Sequence, residues 1–147
     1  MIAAMDIAFD EARAAAARGE VPVGAVVIAA DGTVLARAGN EVEARKDASA
    51  HAELMALRAA AERIGVVHLT GCDLAVTLEP CPMCAHAISL FRVRRLIFGA
   101  YDPKSGGVEH GARVLHAPSC HHRPEIVGGV RETEAAALLR EFFATLR

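Results

Sequence analysis

Two short motifs far apart in this chain have a chemistry that obliges them to meet. His51-Ala52-Glu53 offers an imidazole and a carboxylate, and Pro80-Cys81-Pro82-Met83-Cys84 offers two thiols three positions apart. Two thiolates and one neutral imidazole balance the charge of Zn²⁺. Three protein ligands leave a fourth corner open, which separates a catalytic zinc from a structural one. The carboxylate supplies what a metal lacks, a mobile proton carrier. Any fold for this chain has to bring both segments to one place.

The stretches around these motifs alternate between helix and strand. Ile2, Met5, Phe9, Ala12 and Ala16 recur at steps of three and four, one apolar helix face that Gly19 stops. Val21 to Ala29 is a continuous β-branched run, as in a strand covered on both faces. Asp31-Gly32 is a hairpin turn into a second strand from Thr33 to about Ala38. After a polar loop, Gly39 to Ala48, Ser49 is the expected N-cap of a helix that buries Leu54, Leu57, Ala61 and Ile64 and ends at Gly65. Asp73 to Leu78 and Arg95 to Gly99 read as strands on either side of a helix over Pro82 to Phe91, with Pro82 suited to its first turn. Tyr101 to Arg123 is a long loop rich in Gly, Pro and His, of the kind that carries function. Glu125 to Val127 would add a short last strand. Glu132 to Arg147 would close the chain as a helix with Leu138, Phe142 and Leu146 as its seam. The fold class is therefore α/β, a mixed sheet of about five strands flanked by helices. No repeat, low-complexity segment or linker divides it, so residues 1–147 are expected to form a single domain.

With 147 residues, 53% of them hydrophobic, the chain can bury a real core. No apolar run reaches the roughly 18–20 residues of a spanning helix. The first residues carry Asp6, Asp10 and Glu11 where a secretory leader would be basic and then apolar. Neither a membrane nor a targeting segment is expected. Two of the four cysteines form the close pair, while Cys72 and Cys120 stand alone, a usage that suits a reducing cytoplasm and a metal or redox role. A net charge of −2 and a pI of about 6.4 give no global field for nucleic acid, so polyanion binding would fall to local patches. The densest basic run is Arg92, Arg94 and Arg95.

Cys81 and Cys84 fall at a strand-to-helix junction, where the helix N-terminus lowers the thiol pKa and favours the thiolate. His51 lies near the start of the preceding helix, so two helix starts can bring the ligands together over one sheet edge. Residues two apart on a regular helix point roughly 200° apart, which puts Glu53 beside the metal rather than on it. Singly, each motif is weak: a histidine in an Ala-rich helix is commonly a packing residue, and Cys-Pro-x-Cys at such a junction also suits a thioredoxin-like redox pair. The redox reading leaves His51 and Glu53 without a purpose. Jointly, His-x-Glu with Pro-Cys-x-x-Cys is the known signature of zinc deaminases of nucleobases.

More of the chain points the same way. Pro22-Val23-Gly24-Ala25-Val26, His51-Ala52-Glu53-Leu54-Met55-Ala56-Leu57-Arg58, Thr77-Leu78-Glu79-Pro80-Cys81-Pro82-Met83-Cys84, Phe98-Gly99-Ala100 with Asp102-Pro103-Lys104, His122-Arg123 and the Phe142-Phe143 helix together resemble the bacterial tRNA-specific adenosine deaminases of the cytidine deaminase superfamily. The resemblance implies a three-layer α/β/α cytidine-deaminase-like fold. It implies one Zn²⁺ per subunit on His51, Cys81 and Cys84, a homodimer, and hydrolysis of adenosine to inosine at the wobble position of a tRNA anticodon stem-loop. By the same resemblance Glu53 takes a proton from the attacking water, whose hydroxide adds to C6 of the purine, and then protonates N1 and later the departing ammonia. Asn40 recognises the base, its amide able both to donate and to accept, and the backbone N–H groups around Ala52 and Cys81 bind the base edge. Lys104 would meet a phosphate, and Asp102 a ribose hydroxyl or a neighbouring base. His122, with His121 and Arg123, would bind phosphate or form a second metal site.

Plainer readings stand beside these. Asn40 serves equally well as a turn residue after Gly39, Asp102 to Lys104 as a solvated Pro-containing turn, and the histidine cluster as a polar loop. On the cysteine helix Ala87, Ile88 and Phe91 could form an interface or simply pack into the core. The stretch Gly107-Val108-Glu109-His110-Gly111-Ala112-Arg113-Val114 departs from the usual family form, and Glu109 adds negative charge to a surface meant for RNA. Two other functions compete: a deaminase of a free purine or nucleoside such as guanine, using the same metal chemistry, and an inactive zinc-stabilised partner subunit. Glu53 argues against the last, because a structural zinc has no use for it.

Overall fold

The computed structural model describes residues 2–146; Arg147 and the side chain of Ile2, both included in the expectations above, lie outside the described residues. Helix α1 (Ile2–Ala17) leads into β1 (Gly24–Ile28) and β2 (Val34–Gly39), joined by the Asp31-Gly32 turn. A short helix α2 (Val42–Arg45) precedes α3 (Ala52–Ile64), β3 (Asp73–Leu78), α4 (Pro82–Leu90) and β4 (Arg95–Ala100). The chain then runs through a 3₁₀ turn (Val114–His116) to β5 (Glu125–Val127) and α5 (Glu132–Thr145).

The five strands form one mixed sheet in the order β2-β1-β3-β4-β5. β1 is antiparallel to both β2 and β3, whereas β3, β4 and β5 run parallel. Parallel neighbours need a crossover, and α4 provides it between β3 and β4.

Alternate strand residues divide between two cores, as a period of two demands. Ala25, Val27, Leu74, Val76, Leu96 and Phe98 face α3 and α4, and pack with Ala56, Leu57, Ala60 and Ile88. Val26, Ala75 and Ile97 point the other way and pack with Met5, Ala8 and Phe9 of α1 and Ala135 of α5. The result is the three-layer α/β/α arrangement expected. α1 lies so close to β1 that a Cβ on Gly24 would stand 1.9 Å from the Ala8 carbonyl oxygen, so only glycine fits there.

Several boundaries differ from the sequence reading, each for a local reason. β1 begins at Gly24 rather than Val21, because Pro22 has no N–H to give a ladder. The segment expected to be loop holds α2, whose first N–H groups are capped by a distant carboxylate described below. Ser49 does not cap α3: both its N–H and its hydroxyl turn back to Asp47 Oδ1. His51 takes the N-cap position, in extended conformation. Ala15 rather than Ala16 completes the buried stripe of α1. Ile64 and Leu146 reach past the layers and are 44% and 67% exposed. Ile88 is fully buried, and Ala87 and Phe91 are partly buried against the same core, so this side of α4 packs into the domain.

Candidate active site and metal centre

Both motif residues that begin helices sit where the chain changes direction. His51 and Cys81 are the N-cap residues of α3 and α4, and Pro82 occupies the first turn of α4, where its missing N–H costs nothing. The two helix starts bring His51 Nδ1 to 3.6 Å from Cys81 Sγ and 3.5 Å from Cys84 Sγ. All three donor atoms lie within 4.8 Å of one another. Ligands held ~2.0–2.3 Å from one tetrahedral ion stand roughly 3.5 Å apart. The spacing and the N/S donor set both fit zinc, with room for a fourth ligand.

The electrostatics of the three groups follow from their closeness. The Cys81 thiol is held down at about 4, first by the hydrogen bond from Cys84 and, despite the penalty of burial, also by His51 and a helix N–H. Sharing that proton with Cys81, together with burial, pushes the Cys84 thiol up. The hydrogen bond with Cys81 raises His51, and burial opposes it. The fold thus favours Cys81 as the first thiolate, and a bound cation would draw off the second proton.

Glu53 is buried, 4% exposed, and lies outside the donor group. The reason is not the mid-helix angle expected from sequence, since His51 caps the helix instead of sitting within it. Burial pushes the Glu53 carboxyl up to about 7, aided by the Cys81 charge and opposed by its own backbone N–H and by His51. A carboxyl near neutrality can both take and return a proton.

His51, Glu53 and Cys81 open into one cavity of about 480 Å³, also lined by Glu20, Asn40, Glu79, Asp102 and Ser105. Asn40 is almost fully buried, and its Oδ1 accepts the Ala52 N–H at 2.8 Å. The Ala52 N–H, expected to bind the base edge, is therefore spent on Asn40, and the Asn40 NH₂ keeps both of its donors for the cavity. Asp102 Oδ1 accepts the N–H groups of Lys104 and Ser105, closing a tight turn on which Lys104 is exposed and outside the cavity lining. His122 is directed elsewhere: its Nε2 bonds the Val93 carbonyl at 2.7 Å, and it borders a separate depression with His68, His86 and His121. Among the described residues these histidines form no group with metal-ligand spacing.

Two buried acids of the cavity wall have no role in the sequence reading. Glu20, 2% exposed, caps α2 by accepting the N–H groups of Glu43 and Ala44 at 3.1 and 2.9 Å. Burial works against its charge, but those N–H groups and Arg18 outweigh it and hold its pKa low. Its only sequence signal is one acid before the apolar Val21-Pro22-Val23. Glu79 is likewise held low, its burial outweighed by N–H donors of the loop beyond β4. At the mouth stand Phe142, Phe143 and Leu146 of the C-terminal segment.

Comparison with known proteins places this geometry. Residues 2–100 match the family model described as the cytidine and deoxycytidylate deaminase zinc-binding region. A tRNA-specific adenosine deaminase of Agrobacterium fabrum is 51% identical over 143 residues, covering 97% of this chain and 93% of that protein. A solved structure from work on A-to-I editing by tRNA:A34 deaminases at the wobble position superposes with a TM-score of 0.92 at 50% identity, over 95% of this chain and all of that one. A guanine deaminase from Nitrosomonas europaea aligns less closely, with a TM-score of 0.78 and 27% identity over 97% of this chain and 84% of that one. The chain belongs to the cytidine and deoxycytidylate deaminase zinc-binding family, alongside the tRNA-specific adenosine deaminases.

Proposed function

We propose that this chain is a single-domain, zinc-dependent hydrolase that deaminates adenosine to inosine at the wobble position of a tRNA anticodon. The observation that carries the reading is the convergence of His51, Cys81 and Cys84 beside the buried Glu53 in one cavity. It is joined to likeness with tRNA-specific adenosine deaminases over nearly the whole chain. Zinc held by His51, Cys81 and Cys84 supplies a Lewis acid that makes water nucleophilic near neutral pH.

The chain's own residues do the rest. An adenine must leave its stack to enter a cavity of this depth, which an unpaired anticodon loop permits at low cost. The Asn40 amide, with its oxygen bound to Ala52, donates to an acceptor such as the purine N7. The Glu53 carboxylate takes a proton from the attacking water and delivers it to N1. It then takes the proton of the new C6 hydroxyl and gives it to the amine, which leaves as ammonia as the C6–N bond breaks and the C6 carbonyl forms. Asp102, which lines the cavity, would meet a ribose hydroxyl or a flanking base, and Lys104, exposed on the same turn, would meet a phosphate.

Two further features belong to this proposal. Val66, Val67 and Leu90 are exposed near the Leu69-to-Phe91 hydrogen bond, with Met83 exposed further along α4. A second copy of the chain would cover this apolar face as a homodimer. The four free thiols suit a reducing cytoplasm, and no described helix is long and apolar enough to cross a membrane.

Purified protein is incubated separately with an anticodon stem-loop, adenosine and guanine, and ammonia and inosine are measured. Inosine in the stem-loop is expected. The likeness to a guanine deaminase supports one rival, and turnover of guanine with none on RNA would establish it in place of ours.

A further inference from the structure

Glu79 joins β3 to the Cys81 turn, and none of the roles above uses it. Its side chain is wholly buried, and among the described residues its one ionisable partner is His110. The charge is held instead by a ring of N–H donors. Oε1 accepts the Asp102 N–H at 2.9 Å and stands 2.8 Å from His110 Nδ1. Oε2 accepts three successive backbone N–H groups, those of Val108, Glu109 and His110, at 3.2, 2.9 and 3.0 Å. Successive N–H groups turned to one point make an anion nest. Here the anion is the protein's own.

The same convergence shapes the loop. Residues 102–110 have no strand or helix of their own. Asp102 closes the turn at one end, Gly107 bonds the Pro80 carbonyl and Val108 is buried in the core. Among the described residues Glu79 is the one side chain that ties the Asp102 end to the 108–110 end. Glu79 gathers both ends of the turn: Asp102 is one anchor and Ser105 lies between it and the other, and both line the cavity. The loop is drawn in tightly: a Cβ on Gly106 would stand 2.6 Å from Glu79 Oε2, and one on Gly107 2.5 Å from the Pro82 nitrogen.

We infer that Glu79 is a positioning residue: by tying both ends of the 102–110 turn to one carboxylate, it holds Asp102 and Ser105 at the rim of the cavity and so sets how the substrate is seated. This rests on the deaminase reading for what the cavity receives, though not for the geometry of the loop.

Glu79→Gln tests it. The amide must turn its NH₂ toward N–H groups that already point inward, leaving some without an acceptor. The expected protein binds zinc as the wild type does. Its amides at 102 and 108–110 exchange with solvent roughly tenfold faster. KM for the stem-loop rises roughly 10- to 100-fold while kcat changes little, as for a misplaced seating contact. Unchanged exchange, an unchanged KM, or loss of zinc together with activity would each overturn the inference. The last would show that Glu79 supports the ligands and not the wall. Should Glu79→Gln fail to fold, His110→Ala removes one donor at a partly exposed residue. A several-fold faster exchange at 108–110 and a raised KM are then expected, and no change in either measurement overturns the inference. If the wild type turns over no stem-loop at all, the functional reading fails, and the exchange rates still decide this one.

Discussion

Asn40 Oδ1 lies 2.8 Å from the Ala52 nitrogen, and that one hydrogen bond decides what the asparagine can say to a ligand. The Ala52 N–H is a donor, so the atom facing it must be oxygen, and the NH₂ is left to the cavity. Asn40→Asp separates the two halves of this arrangement. One carboxylate oxygen still caps Ala52, so the melting temperature should stay within a few degrees of wild type. The other oxygen places an acceptor where a donor is needed, and a site built to donate rejects a mismatched partner strongly. We expect kcat/KM on the stem-loop to fall by about 10²-fold or more, with the fold intact by circular dichroism. An active variant would show that the amide does not meet the base.

Glu53 stands buried beside the donor group without belonging to it. Glu53→Ala should therefore bind zinc at the wild-type ratio, read by elemental analysis, and lose deamination by roughly 10²–10⁴-fold, the span of general acid–base catalysis. Loss of zinc would recast the carboxylate as part of the metal site, and full activity would remove it from the reaction.

How much of this was legible beforehand depended on the range of each interaction. The α/β alternation, the five strands and the three clustered donors all follow from local periodicity and from residue types with few chemical options. Asp73–Leu78 even has its boundaries readable, since turn residues bracket an apolar run. The start of α3 was misplaced because Ser49 has two partners within reach, the helix N–H groups or Asp47, and Asp47 wins. Glu20 and Glu79 carried no local signal, because their partners lie 23 to 31 positions away in the chain. Nothing local to Ala52 shows that its N–H is bonded, and only the fold brings Asn40, twelve positions away, onto it. Side chains that organise a loop at long range, unlike those that repeat along a helix, leave no period to read.

The acid limb of stability should carry the mark of Glu20. Its folded pKa is depressed below that of the unfolded chain. The group therefore contributes stability above the unfolded value, and that contribution disappears as the pH falls through the folded one. Denaturant midpoints of wild type and Glu20→Gln, compared at matched zinc content, should differ most near pH 7, begin to close as the pH falls below the unfolded carboxyl value of about 4.3, and converge at more acid pH. A constant gap across this range would mean that the capping of α2 does not depend on charge.

Phe143 tests what the cavity is for. It is 46% exposed at the mouth, its ring centroid 5.5 Å from that of Phe142 at an interplanar angle of 75°, with the exposed Leu146 beside them. Neither core cluster includes it, so removing it should leave the melting temperature nearly unchanged. A free nucleobase would lie inside the cavity and have little to gain from an aromatic ring at its edge. An anticodon loop brings neighbouring bases to that edge, unstacked because one of them has turned inward. Stacking of such a base on an aromatic side chain is worth ~1–3 kcal/mol, so Phe143→Ala should weaken stem-loop binding about 5- to 150-fold and spare any activity on adenosine itself. Equal losses on both substrates would mean that the ring closes over a small molecule, and the balance would tip from tRNA toward a free purine.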